Sequence, residues 1–171
     1  MLTRLRIGQF KAFGPVQDIP LAPITLIYGP NSAGKSAVIE ALLLLNQTMA
    51  DNDPSHALTP KGEWVNLRHY QAFIHRHNME AILHLGVFWK TTTADLVGLA
   101  YNGAEDVEVG MEWTWAWHKD ADRLVQRQTL VYVADAEQPV FQLNINPDEF
   151  EKFATDPPRS YPPREIAPEA L

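Results

Sequence analysis

The spacing of apolar residues changes three times along this chain. Residues 2–13, LTRLRIGQFKAF, alternate loosely, with Leu5 and Ile7 on one side and Arg4 and Arg6 on the other, which predicts a strand. Gly14-Pro15 breaks the pattern, and residues 19–22 predict a short second strand. After Pro23 the run Ile24-Thr25-Leu26-Ile27-Tyr28 predicts a third. From Lys35 to about Met49 the apolar positions crowd together, with Ala37, Val38, Ile39 and Ala41 followed by Leu42, Leu43, Leu44 and Leu45. A helix that is apolar nearly all round is buried on most sides. Asn46, Gln47 and then Asp51-Asn52-Asp53-Pro54 end it.

The second half changes to a period of two. Residues 66–78, NLRHYQAFIHRHN, predict a short helix or an irregular turn, with Tyr70, Phe73 and Ile74 as its apolar side. Strands are then expected over 81–89, more faintly over 95–101, and clearly over 107–117, 124–134 and about 138–145. The short charged turns between them, 118–122 and 135–137, argue for an antiparallel meander. Val107, Val109, Met111, Trp113, Trp115 and Trp117 fall on one side and read as one buried sheet face; a base-stacking or partner-binding surface is the alternative. Glu149–Phe153 could form one helical turn. Beyond Ala154 come Pro157, Pro158, Pro162, Pro163 and Pro168, so 154–171 is expected to be an extended or disordered tail after a domain at 1–153.

Between the third predicted strand and the helix lies GPNSAGKS, with Gly29, Gly34, Lys35 and Ser36 in the GxxxxGK[ST] spacing of a phosphate-binding P-loop, or Walker A motif. The strand delivers the chain to a tight turn that exposes successive N–H groups around an anion-sized hollow. The two glycines permit backbone angles and a close approach that a side chain would block. The helix that follows turns its unpaired N–H groups and dipole toward the phosphates. Lys35 supplies a charge for the β- and γ-phosphates, and the Ser36 hydroxyl suits Mg²⁺. The plain alternative, a glycine turn before a helix with a solvated lysine, leaves four constrained positions in one frame to chance.

Composition narrows the setting. The 171 residues suffice for one domain with a real core. Apolar residues make up 46% and charged residues 20%, as in a globular protein. With no cysteine, disulfides and Cys-ligated metal sites are excluded, which fits a cytoplasmic location. The N-terminus is too regularly charged for a secretory signal, and no apolar run approaches membrane-spanning length. A formal charge of −7 argues against this chain gripping nucleic acid by itself.

The opening LTRLRIGQFKAFGPVQDIPLAPITLIYGPNSAGKSAVIEALLLLNQT resembles the N-terminal lobe of the SMC/RecF/OLD-like ATPases of the ABC superfamily. The features that carry this are the first strand ending in QFKAF, the short second strand, GPNSAGKS and the leucine-rich helix. The variant with Asn31, Ser32 and Ala33 is similar to a bacterial branch called AAA family ATPases, and VNLRHYQAFIHRHN looks like a segment of that branch. The resemblance implies an α/β fold, a P-loop NTPase N-terminal lobe with a largely antiparallel β-sheet, with the C-terminal lobe absent from the chain. It implies ATP and Mg²⁺ as ligands, with Gly29, Pro30, Asn31, Ser32, Ala33, Gly34, Lys35 and Ser36 around the phosphates. Lys35 then takes the catalytic role and Ser36 the metal. Lys11 sits where relatives often carry a basic residue near the nucleotide, or else it is a solvated lysine at a strand end. Gln71 is the nearest candidate for the Gln that contacts Mg²⁺ and the attacking water in relatives.

The family's second lobe supplies a serine-glycine signature, an apolar strand ending in Asp-Glu, and a switch His. None is evident in this chain. The nearest imitation, Leu130–Ala134 followed by Asp135-Ala136-Glu137, reads better as a hairpin strand with a charged turn, since alternating strands flank it. His69, His75 and His77 cluster without an evident third metal ligand and read as surface or polar-core residues; a histidine beside the γ-phosphate is the alternative. The expected function is therefore ATP·Mg²⁺ binding, with hydrolysis requiring the missing lobe. The expected partners are a second copy or a complementing C-terminal ATPase half, with nucleic acid reached only through the complete assembly, in DNA repair or phage defence, and no membrane. The rival reading is a truncated or split-gene module that binds a partner and has no ATPase activity. A small P-loop kinase fits less well, because two strands precede the loop.

Overall fold

The structure is a computed structural model, and it describes residues 1–51, 57–92, 106–120, 122–133 and 138–145. The strand expected over 95–101, the turn acids Asp135 and Glu137, the helical turn at 149–153 and the tail at 154–171 lie outside the described residues.

Among the described residues, six strands form one antiparallel sheet: β1 (Leu2–Gly8), β2 (Gln17–Pro20), β3 (Leu83–Thr92), β4 (Asp106–His118), β5 (Arg123–Val133) and β6 (Phe141–Asn144). Their spatial order is β2-β1-β3-β4-β5-β6. The chain leaves the sheet after β2, forms helix α1 (Lys35–Ala50) and the short helix α2 (Tyr70–Phe73), and returns as β3 beside β1. From β3 on it is a meander, as the period-two pattern and short turns predicted.

Alternation sorts the two faces. On one, Leu5 and Ile7 of β1 lie opposite Val87 and Leu85 of β3, and Leu83 lies opposite Trp115 of β4. Ala37, Val38, Ala41, Leu44 and Leu45 of α1 pack into the same cluster, so the helix covers this face. Trp115 is 1% exposed and its indole N–H donates to the Ala57 carbonyl at 2.7 Å. Trp113 and Trp117 border this core. The tryptophan stripe is thus a packing surface. A residue is inserted in β5 opposite it: Thr114 pairs with Gln128 and Trp115 with Gln126, so Arg127 is left over as a bulge.

The opposite face is charged. Arg4 lies 3.8 Å over the Phe88 ring, which is itself buried. A Cβ on Gly110 would stand 2.1 Å from that ring, so only glycine admits Phe88 here. Arg6 donates to Asp18 at 2.8 and 2.9 Å and to Glu112 at 3.0 Å. Glu112 is buried, and it also accepts from His84 and from the Tyr132 hydroxyl, each at 3.2 Å. Burial works against ionisation of Glu112, but hydrogen bonds from His84 and Arg6 outweigh it and hold its carboxyl below the ordinary range. The same guanidinium lowers Asp18.

Three expectations need correction. The first strand does not continue to Phe13; it ends at Gly8, because Gln9 and Lys11 take positive φ (54° and 49°) and the chain curls back. The run Ile24–Tyr28 is not a strand at all. It joins no sheet, and among the described residues no main-chain hydrogen bond links it to another element. Ile24 and Leu26 are each 82% exposed and Tyr28 is 91% exposed. Helix α1 likewise is covered on one side only, with Ile39 and Met49 exposed. No helix among the described residues is long and apolar enough to cross a membrane.

Candidate functional site

Gly29–Ser36 forms an exposed loop that turns directly into α1. Its shape depends on positive φ at three positions: Gly29 at 149°, Ser32 at 65° and Gly34 at 91°. Gly34 is the N-cap of α1, and no side chain satisfies the helix's first amides. A Cβ at Gly34 would lie 3.1 Å from the Ala12 Cβ and 3.2 Å from the Phe13 ring. The loop therefore rests on the turn that follows β1, and glycine is what lets the two meet.

That turn is itself held from behind. The Lys11 amide donates to the Phe73 carbonyl at 2.7 Å, and the His75 amide donates to the Gln9 carbonyl at 3.0 Å. His75 Nδ1 stands 2.8 Å from the Lys11 carbonyl. A carbonyl only accepts, so His75 carries its proton on Nδ1 in this contact. His77 is fixed the same way on the Gln71 carbonyl at 2.7 Å. These two histidines are brackets for the backbone, and no group of three metal-ligating side chains exists among the described residues. His69 is exposed and lies elsewhere, beside a second cavity.

Between loop and turn opens a cavity of about 470 Å³, lined by Lys11, Ser32, Gly34, Lys35, Ser36 and Glu40 among others. The Lys35 ammonium folds onto its own loop, donating to the Gly29 carbonyl at 2.8 Å and the Pro30 carbonyl at 2.7 Å. Lys11 reaches across to Glu40 of α1 at 2.5 Å. Lys11 and residues of the loop thus line the same cavity. Glu40 was missed, although its position four residues beyond Ser36 places it on the same side of the helix. Gln71 sits exposed on α2 and is not among the residues lining this cavity.

The residues suit a phosphate ligand with a cation. The cavity is lined by two ammonium groups, two serine hydroxyls and one carboxylate, the helix's first amides lack a side-chain cap, and main-chain carbonyls take the place of a stronger acceptor for Lys35.

Residues 4–81 match the family model of an AAA domain. The chain is also 42% identical over 45 residues, 26% of its length, to the OLD nuclease of Thermus scotoductus. It is 52% identical over 40 residues, 23% of its length, to the chromosome partition protein Smc of Gloeobacter violaceus. The N-terminal region of this chain is that of an SMC/OLD-like AAA ATPase. The matches span 8% of the length of the OLD nuclease and 3% of that of Smc, so they bear on this region and not on the whole of either relative. The family match spans the segments QFKAF and GPNSAGKS that carry the resemblance.

Proposed function

We propose that this chain binds ATP·Mg²⁺ through Gly29–Ser36, as the P-loop of the N-terminal lobe of an SMC/RecF/OLD-like ATPase. The observation that carries this reading is the loop geometry: three positive-φ residues, an uncapped helix start, and Lys35 folded over its own carbonyls beside a cavity of about 470 Å³. On this reading the amides of residues 31–36 hold the β- and γ-phosphates, and Lys35 exchanges its two carbonyl acceptors for phosphate oxygens. The Ser36 hydroxyl is a Mg²⁺ ligand, and Lys11 faces the nucleotide from the opposite wall. Mg²⁺, when bound, offsets phosphate charge. Gln71 remains the candidate second metal contact.

Hydrolysis, on the same reading, requires a C-terminal lobe supplied by further chain, a partner or a second copy. The exposed run Ile24–Tyr28 supports this, because it is an extended apolar segment with no sheet partner among the described residues. The uncovered side of α1 at Ile39 and Met49 supports it too. Residues 1–153 would be the lobe and 154–171 its tail. The names of the two relatives, a nuclease and a chromosome partition protein, favour a DNA transaction such as repair or phage defence, with nucleic acid met by the assembled protein. The same exposed run also favours the second reading, a partner-binding module without ATPase activity.

Phosphate release from Mg²⁺·ATP by the 171-residue chain tests this, with nucleotide retention measured in parallel. The expected result is bound ATP with turnover no higher than that of the Lys35→Ala variant. Turnover that Lys35→Ala abolishes would overturn the need for a second lobe. Failure to retain any nucleotide would overturn the ATP site and leave the partner-binding reading.

A further inference from the structure

A second cavity, of about 480 Å³, lies at the far end of α1 from the glycine loop. Its wall includes Thr59, whose amide is bound to the Thr48 hydroxyl at 3.2 Å and whose hydroxyl donates to Asp51 at 2.6 Å, both at the helix C-terminus. Helix α1, 16 residues and about 24 Å long, runs from the loop to Thr48 and Asp51, the residues that Thr59 contacts.

Its floor is apolar and rich in rings: Leu58, Tyr70, Phe73, Trp117 and Leu124. Tyr70 and Trp117 stack with ring centroids 5.9 Å apart and planes 12° from parallel, and Phe73 meets Tyr70 edge-on at 5.4 Å. This pre-built aromatic wall is held by the Tyr70 hydroxyl donating to the Ala81 carbonyl at 2.8 Å. The rim has the opposite character. Among the described residues, Lys61, Arg68, His69 and Arg123 line it, against a single acid, Asp122. Counting Lys61, Arg68 and Arg123 against Asp122, the described lining is net positive, in a chain whose net formal charge is −7. Lys61, Arg68 and His69 have no acidic side-chain partner among the described residues.

We propose that this cavity is a second ligand site that takes a nucleotide unit, its ring against the aromatic floor and its phosphate on the basic rim. The size fits, since cavities of several hundred Å³ hold ligands of that kind. The chemistry fits as well: apolar ring surface is taken from water while a cationic rim meets an anion. Such a unit can come from a free mononucleotide or from a single strand of nucleic acid. The site does not depend on the ATP reading, because it shares no residue with the glycine loop.

The test is two-dimensional NMR of the ¹⁵N-labelled full chain, following the Trp117 indole signal (assigned with Trp117→Phe) during titration with AMP, with a thymidine pentanucleotide, and with unphosphorylated thymidine. The expected result is a saturable shift with AMP or the pentanucleotide that survives Lys35→Ala. Lys61→Ala and Arg68→Ala, both at exposed positions, should each weaken it by about fivefold. A shift with the pentanucleotide alone identifies nucleic acid as the source, and a shift with AMP that the pentanucleotide cannot displace identifies a free nucleotide. No shift with either probe would overturn the proposal. Equal binding of thymidine, or indifference to both rim substitutions, would also overturn it.

Discussion

Glu40 places a carboxylate on the wall of a cavity proposed to hold a polyanion, so replacing it by Gln should tighten ATP binding. The magnitude follows from the size of the site. A cavity of about 470 Å³ has a linear dimension of about 8 Å, which sets the distance between Glu40 and the nearest phosphate charge. Coulomb's law at 8 Å, with an effective dielectric of about 40–80 for this open site, gives a repulsion of about 0.5–1 kcal/mol per phosphate charge. Glu40→Gln should therefore raise affinity about two- to fivefold. Lys11, now paired with Glu40 at 2.5 Å, would at the same time be released toward the nucleotide. The measurement is a calorimetric titration of Mg²⁺·ATP at low salt, repeated at 1 M salt, where the screening length of about 3 Å is shorter than the cavity and the gain should vanish. Lys11→Ala should shift affinity in the opposite direction. Weaker binding by Glu40→Gln would refute the reasoning and make Glu40 a group that positions Lys11 for its role.

Three further outcomes are expected. Gly34→Ala places an L-residue at φ 91°, which costs about 1–2 kcal/mol. Its Cβ would also push on Ala12 and Phe13, so urea unfolding should move to lower concentration and ATP affinity should fall with it. In acid, Asp18 and Glu112 bind fewer protons folded than unfolded, because both are held below their ordinary values of 3.8 and 4.5. Their contribution is complete above those values and is lost as pH falls through the lowered folded ones, so the unfolding midpoint should drop below about pH 4.5 and drop less in Glu112→Gln. Leu26→Ser should change the stability of the chain alone by no more than about 0.5 kcal/mol, whereas Leu85→Ala, fully buried, should cost about 2–5 kcal/mol by thermal unfolding.

The sheet was legible because its pattern is local. Alternation over Val107–Trp117 and Leu124–Val133, divided by a charged turn, leaves little else for those residues to form. The turn before α1 was legible because Gly29 and Gly34, five residues apart, take the positive φ that glycine permits. The run Ile24–Tyr28 misled for a physical reason: a strand exists only by pairing, and the apolar alternation that suits a sheet says nothing about whether a neighbour is present. The all-round apolar helix is a similar case, since its sequence asks for cover on two sides and the sheet provides one. The turn at Gln9–Phe13 depends on Phe73 and His75, more than 60 residues away, and no spacing rule connects them. The second cavity joins Arg68 to Arg123 through the return of the β4–β5 hairpin, which only the fold brings about.

The most direct test of the central claim is the affinity of the full chain for Mg²⁺·ATP compared with that of Lys35→Ala. Lys35 donates to two carbonyls of the loop and would donate to phosphate oxygens instead, and a hydrogen bond to a charged partner contributes about 1.5–3 kcal/mol. The account predicts saturable binding that the substitution weakens by about tenfold or more. Equal affinities for the two proteins would contradict it.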